Sequence, residues 1–336
     1  MDVRRNLILI ALMLVIVLSL ASVSTAEEWI RKANMLTPRS LFSTAVVNGA
    51  IYAIGGLNSI TIDVYNPGTN TWTKKSDIPT SQAYRLGMSA NVINGLIYLI
   101  GGSIGFGSAL PNVDVYNPGT DTWTRKADMP TTRVFLTASV VNGIIYTIGG
   151  RAGSVNGSSV ATVEAYDPGT NTWTKKTDMP TARDLLSSDV VNGIIYAVGG
   201  DGSTGNHAEV EAYNPATDTW TKKANIPFAI FGMSVNAVNG LIYVIGGFGM
   251  PSIVEVYDPA TDTWARKADM PTNRGYHSAS VVNGIIYVIG GSIDPSSGSP
   301  IAEGVVEIYD PFRAPKRPSL DTDKLATLWG KVKASD

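Results

Sequence analysis

The sequence predicts an all-β chain folded as a six-bladed β-propeller, with four antiparallel strands in each blade. Three observations lead there. A Gly-Gly pair recurs six times, at Gly55-Gly56, Gly101-Gly102, Gly149-Gly150, Gly199-Gly200, Gly246-Gly247 and Gly290-Gly291, at spacings of 46, 48, 50, 47 and 44 residues. An acid-x-Tyr-(Asn/Asp)-Pro string follows each pair, with its tyrosine at Tyr65, Tyr116, Tyr166, Tyr213, Tyr257 and Tyr309. An Asn-Gly step between two apolar runs precedes each pair, first at Asn48-Gly49. A self-similar period of about 45–50 residues built from strands marks propeller blades, and no 3.6-residue periodicity runs inside the repeats.

Each period reads as four short strands. Asn-Gly is a strong two-residue hairpin signal, because both turn positions need positive φ; it joins the first strand to the second. The second ends at Gly-Gly, where a side chain would obstruct close backbone packing. A loop of variable length leads to the third strand, which carries the tyrosine, and Asn66-Pro67-Gly68-Thr69 is the first of the turns to the fourth. The fourth strand carries a tryptophan seven residues after the tyrosine in five repeats: Trp72, Trp123, Trp173, Trp220 and Trp264. In the sixth, Lys316 stands at that position. Trp29-Ile30-Arg31-Lys32-Ala33 instead copies Trp123-Thr124-Arg125-Lys126-Ala127, so the N-terminal strand is expected to complete the last blade and remove an open sheet edge.

Gly-Gly, then Tyr, then Trp at these spacings resembles the Kelch repeat, the class of propeller that galactose oxidase shares. The resemblance covers nearly all of residues 27–311.

The flanks read differently. Arg4 and Arg5, an apolar run from Leu7 to Leu20, and Ser24-Thr25-Ala26 compose a signal peptide over residues 1–26. The run falls short of the ~20 residues of a membrane span. A secreted, periplasmic or envelope location follows as an expectation, with the membrane touched only if this segment stays uncleaved. Residues 312–336 read as a proline-rich linker and a short tail in which Leu325, Leu328, Trp329 and Val332 would share one helix face. The chain has no cysteine, which excludes disulfides, thiolate catalysis and the cysteine-linked copper centre of galactose oxidase. A net charge of −2 gives no nucleic-acid footprint.

Antiparallel strands sort the loops onto two faces. The Asn-Gly and Asn/Asp-Pro turns share one; the fourth-to-first linkers and the variable second-to-third loops share the other. Variable loops on a rigid scaffold are where function concentrates. On that loop face an arginine recurs ten residues before the turn glycine: Arg39, Arg85, Arg133, Arg183 and Arg274, with Ile230 in the fifth repeat. The family resemblance implies that such arginines meet acidic ligand groups. The competing reading pairs each with the acid two residues before the tyrosine: Asp63, Asp114, Glu164, Glu211 and Glu307. Tyr84, Phe135, Tyr276, His277 and His207 complete the candidate ligand-binding set.

No phosphate loop, nucleophile elbow or zinc-protease helix occurs, and two histidines do not make a metal site. The expectation is no cofactor, no metal and no catalytic set. The predicted function is a monomeric, extracytoplasmic module that binds a protein, peptide or glycan on its loop face. The alternatives are a cofactor-free carbohydrate-modifying enzyme, as sialic-acid epimerases of the same propeller class illustrate, or an envelope scaffold.

Overall fold

The computed structural model describes residues 29–57, 59–79, 84–293 and 304–312. The expected signal peptide (1–26) and tail helix (321–336) lie outside them. Residues Trp29–Pro311 form one unit, in which six four-stranded antiparallel sheets stand in a ring and no helix occurs among the described residues. Blade one runs Ser43–Val47, Ala50–Ile54, Thr61–Asn66 and Thr71–Asp77. Blades two to five repeat the order, with first strands Ser89–Ile93, Thr137–Val141, Ser187–Val191 and Ser234–Val238. Blade six takes Ser278–Val282, Ile285–Ile289 and Val306–Tyr309, and its fourth strand is Trp29–Arg31. Trp29 pairs with Tyr309, Ile30 with Ile308 and Arg31 with Glu307, so the N-terminal strand closes the ring as expected.

The core lies between blades. Each second-strand tyrosine packs on the third-strand tyrosine of the next blade, as Tyr52 on Tyr116 (6.3 Å between ring centroids) and Tyr287 on Tyr65 (6.0 Å). The blade's tryptophan covers its own tyrosine, Trp72 lying 5.1 Å from Tyr65. Such tilted contacts add to the large apolar area that aromatic rings remove from water. Polar atoms then latch neighbouring blades at the rim. The Asn70 Oδ1 accepts from the Tyr65 hydroxyl (2.7 Å) and from the Ala33 N–H of the preceding blade (2.9 Å), while the Trp72 indole N–H donates to Ala33 O (3.0 Å). Asn171, Asp218 and Asp262 repeat the side-chain latch with Ala127, Thr177 and Ala224.

The Gly-Gly pair is required by close approach. Gly101 and Gly102 sit at φ +66° and +90°, and a Cβ would stand 2.7 Å from Arg133 O on the first and 2.8 Å from Leu86 O on the second. The second glycine of each pair donates its N–H to the carbonyl at the next blade's hub position, the site of the recurring arginine (Ile230 in blade five), as Gly102 N to Arg133 O (2.8 Å) and Gly291 N to Arg39 O (2.9 Å).

Trp29 is buried against Tyr309, 5.2 Å between centroids, and its indole N–H reaches Ala268 O. Trp29→Ala is expected to lower the unfolding free energy by about 3–5 kcal/mol, the usual cost of truncating a buried large aromatic. Urea unfolding followed by tryptophan fluorescence checks it, and an unchanged midpoint would remove the closing strand from the account.

Candidate functional site

The fourth-to-first linkers and the second-to-third loops do share one face. At its centre the six first strands surround an open-mouthed cavity of about 220 Å³. Phe135, Tyr276 and His277 all line it.

The five arginines lie beneath this face, with no exposed surface. Each follows one plan. The Arg133 guanidinium donates to Gly149 O (3.0 Å) and Thr162 O (3.0 Å), closing the ends of its own second and third strands, and pairs with Glu164 (2.8 Å). Thr131 Oγ1–H completes that carboxylate (2.8 Å). Arg85–Asp114, Arg183–Glu211 and Arg274–Glu307 repeat the pair at 2.5, 2.6 and 2.7 Å, and Arg39 pairs with Asp63. The expectation that Arg39, Arg85, Arg133, Arg183 and Arg274 contact a ligand is therefore corrected: each guanidinium has no exposed surface and is already paired with a third-strand acid of its own blade, although the Nε of Arg133 and of Arg183 is left without a hydrogen-bond partner. Sequence spacing found the pair but not its depth.

His277 lines the cavity wall but lies deeper than expected for a ligand contact. It fills the slot that Phe42, Met88, Leu136, Leu186 and Met233 occupy in the other repeats. It is buried there, with Nε2 3.0 Å from Ser234 Oγ. Burial, with the Arg274 charge as a lesser cause, pushes its pKa down to about 3. His207 is also buried, packed over Gly202 and hydrogen-bonded to Glu209 (2.9 Å). Tyr84, Phe135 and Tyr276 remain half-buried at the face.

The mouth has a feature that sequence reasoning missed. Six backbone hydrogen bonds close a ring around it: Leu41 N–H to Tyr276 O (3.0 Å), Gly87 to Leu41 (2.9 Å), Phe135 to Gly87 (2.7 Å), Leu185 to Phe135 (3.0 Å), Gly232 to Leu185 (2.9 Å) and Tyr276 to Gly232 (2.7 Å). All six residues have positive φ, from +50° to +63°. For Leu41, Phe135, Leu185 and Tyr276 that conformation costs of order 1–3 kcal/mol each, sustained by the surrounding bonds. Gly87 and Gly232 leave room for the next blade's ring, since a Cβ would come within 2.6 Å of Phe135 and 2.7 Å of Tyr276. Glycine two residues after the hub position in repeats two and five was the available signal.

Hydroxyls line the cavity below the ring, at Ser43, Ser89, Thr137, Ser187, Ser234 and Ser278. They are engaged across blades: Thr44 N–H donates to Ser278 Oγ (3.1 Å), Val235 N–H to Ser187 Oγ (3.2 Å), and the Ser43 hydroxyl to Met88 O (2.6 Å). The innermost strands are sheet edges, and these side chains satisfy their open backbone groups.

A second missed group surrounds the ring. Above blades two to six a residue after the hub position meets a residue after Gly-Gly: Leu86 with Ser103, Val134 with Arg151, Asp184 with Asp201, Phe231 with Phe248 and Gly275 with Ser292. Arg151 pairs with Asp184 (3.0 Å) and Asp201 (3.3 Å), and lies 5.8 Å from the Phe135 centroid. Among the described residues no group of three or more His, Cys, Asp or Glu side chains is placed to hold a metal ion.

The repeat geometry meets its match in comparisons with known proteins. The KLHDC2/KLHL20/DRC7 Kelch-repeats domain matches residues 41–247 and 128–291, and the Kelch motif matches residues 273–311. The chain belongs to the Kelch-repeat family. Similar proteins include Kelch-like ECH-associated protein 1B of Danio rerio, 38% identical over 85 residues that make up 23% of this chain and 14% of that protein. Spermatocyte protein spe-26 of Caenorhabditis elegans is 34% identical over 115 residues, 31% of this chain and 20% of its own. The aligned stretch is thus a fifth or less of either of these relatives. The solved "Structure of YjhT" superposes with a TM-score of 0.71 at 16% identity, covering 82% of this Kelch chain and 95% of that one, which shows the shared fold.

Blade five of the Kelch ring lacks the hub. Ile230 and Phe228 replace the arginine and threonine, and Glu255 keeps only Arg266, at 3.5 Å near the rim. Burial raises its pKa. Glu211→Gln, which leaves Arg183 buried beside an uncharged amide, is expected to cost about 3 kcal/mol or more. Glu255→Gln is expected to cost under about 1 kcal/mol. Equal losses in urea unfolding would refute the hub.

His277 sets a pH dependence. Its folded pKa lies below its unfolded value near 6.5, so the unfolded chain binds the proton first and stability falls as pH drops below about 6.5. The loss should reach about 3 kcal/mol at pH 4. His277→Met, the residue of repeats two and five, should flatten that part of the stability–pH curve. A wild-type-like slope in the variant would contradict the assignment.

Proposed function

We propose that the chain is an extracytoplasmic docking module that takes a protein partner on its loop face. One observation carries this reading. Besides the buried arginines and the buried His277, the described second-to-third loops and the inner ends of the fourth-to-first linkers hold only Arg151, Asp184, Asp201, His207 and Glu209 as charged or imidazole groups. Among the described residues of Trp29–Pro311, the exposed large apolar side chains Leu36, Ile104, Phe106, Met250 and Ile293 all belong to segments of this face, while Phe312 is exposed beyond that unit. Depletion of charge with exposed aromatic and methionine side chains is the composition of an interface centre. The lysines and arginines of the fourth strands, such as Lys74, Arg125 and Lys175, lie exposed on the outer rim. The Danio rerio relative is named as ECH-associated, and an association of that kind is what the docking reading assigns to this loop face. Placement outside the cytoplasm rests on the residue pattern of the first 26 positions.

A second reading, a cofactor-free carbohydrate-modifying enzyme, draws on Arg151, Asp184 and Asp201 standing together at the mouth. It is weakened by Asp184, which has no exposed surface, and by cavity hydroxyls already engaged between blades.

Selection of peptides from a random displayed library on the immobilised full chain tests the docking reading. Binders are expected to lose at least about tenfold in affinity to Phe106→Ser with Met250→Ser, and to be unaffected by Lys75→Glu on the rim. The reverse pattern would reject the loop face. Binding and turnover of sugars on a glycan array would favour the second reading.

A further inference from the structure

The breaks in the six-fold repeat concentrate on consecutive blades. In blade five, Phe228 and Ile230 replace the threonine and arginine of blades three, four and six. Phe231 follows and meets Phe248 across a backbone bridge. Tyr276 of blade six leans over Gly232, 6.2 Å from Phe231 and 4.3 Å from Phe248 between ring centroids. Met250 stands exposed two residues beyond Phe248. Together they make an aromatic shelf at the mouth.

In blade four the same bridge positions hold Asp184 and Asp201. The ring bond from Gly232 N–H to Leu185 O (2.9 Å) sets their preceding residues, Phe231 and Asp184, on adjoining blades. Two carboxylates share the single guanidinium of Arg151, and Asp184 Oδ1 is buried without a hydrogen-bond partner. Asp201 is about a quarter exposed. Glu209, with its His207 contact, adds a third carboxylate on the same blade. The ring bonds Gly232 N–H to Leu185 O and Tyr276 N–H to Gly232 O bring the acid-bearing and aromatic segments to one side of the mouth, and burial, with lesser effects of the Arg151, Asp201 and Asp184 charges, pushes the pKa of the Tyr276 phenol up to about 12.

This combination selects a ligand chemistry. A guanidinium or ammonium gains from aromatic faces and from carboxylates at once. An acidic group would meet net negative charge. A wholly apolar one would desolvate Asp201 and add nothing to the single guanidinium that it shares with Asp184. We propose that the shelf seats a basic side chain, lysine or arginine, on an exposed segment of a protein partner, with its stem along Phe231 and Tyr276 and its head at Asp201. This rests on the loop-face docking reading and names its partner's chemistry.

The same peptide selection tests it. Loop-face binders are expected to be enriched in Arg and Lys. Replacing the key basic residue by Glu should weaken binding at least about tenfold, and Asp201→Asn should weaken the parent peptide comparably while leaving the unfolding midpoint of the full chain unchanged. Binding to the wild-type chain should also weaken steeply with salt, a readout that holds even if Asp201→Asn does not fold. Loop-face binders that are acidic or uncharged, insensitive to salt and to Asp201→Asn, overturn the proposal and leave the docking reading intact. Binders indifferent to Phe106→Ser with Met250→Ser overturn both, as does the absence of any binder.

Discussion

The arginine–carboxylate pair buried at the head of five blades sets the position of what surrounds it. A guanidinium stripped of water must have its donors met. Here the terminal N–H groups are met by the carbonyls that end the second strand and begin the third, together with the third-strand acid. The same residue's own carbonyl takes the N–H of the previous blade's second glycine. One residue thus ties two strands of its blade and the blade behind it. The Gly-Gly pair follows from this: only a residue without Cβ lets the backbone pass so close to that carbonyl. Two residues later comes the ring of six hydrogen bonds, with φ values that bulky residues tolerate only under tight constraint.

Blade five shows what the hub permits when it is absent. With Ile230 and Phe228 in place, the need to satisfy a buried charge disappears, and the linker above becomes apolar to its end at Phe231. The adjoining blade keeps its hub and places acids at the equivalent outer positions. Breaking the repeat on neighbouring blades creates a directional mouth in a ring that six identical copies would leave featureless. A site is built here by local departure from symmetry on an unaltered frame.

What could be read in the sequence was what the backbone demands locally. Asn-Gly, Gly-Gly and the Tyr–Trp spacing report turn geometry, close approach and inter-blade packing, and each survives into the structure at the expected residue. Ring closure by Trp29–Arg31 was legible because the strand copies its counterparts. Depth was not. Ten residues before a turn glycine locates Arg133 along the chain, but whether its side chain points at solvent or into the blade depends on carbonyls from strands 16 to 29 residues away. The burial of His277 was hidden similarly: its register slot is apolar in every other repeat, and the interface between blades decided its environment. Arg151, Asp184 and Asp201 come from three segments with no shared motif, and only the bridges above the blades bring them together.

The two faces of the ring therefore answer to different constraints. The turn face repeats because Asn-Gly and Asn/Asp-Pro turns must supply fixed φ values and latch one blade to the next, so its side chains are committed to structure. The loop face begins above the hubs, where strand geometry has already been set. There a substitution alters chemistry with little consequence for the frame, provided the ring bonds persist. The ring uses backbone atoms alone, so it tolerates Leu, Gly, Phe or Tyr at the same station. That tolerance lets aromatic side chains reach the mouth of a strained, rigid collar. Rigidity matters for recognition: a shelf whose residues are already held loses less conformational entropy when a partner settles on it.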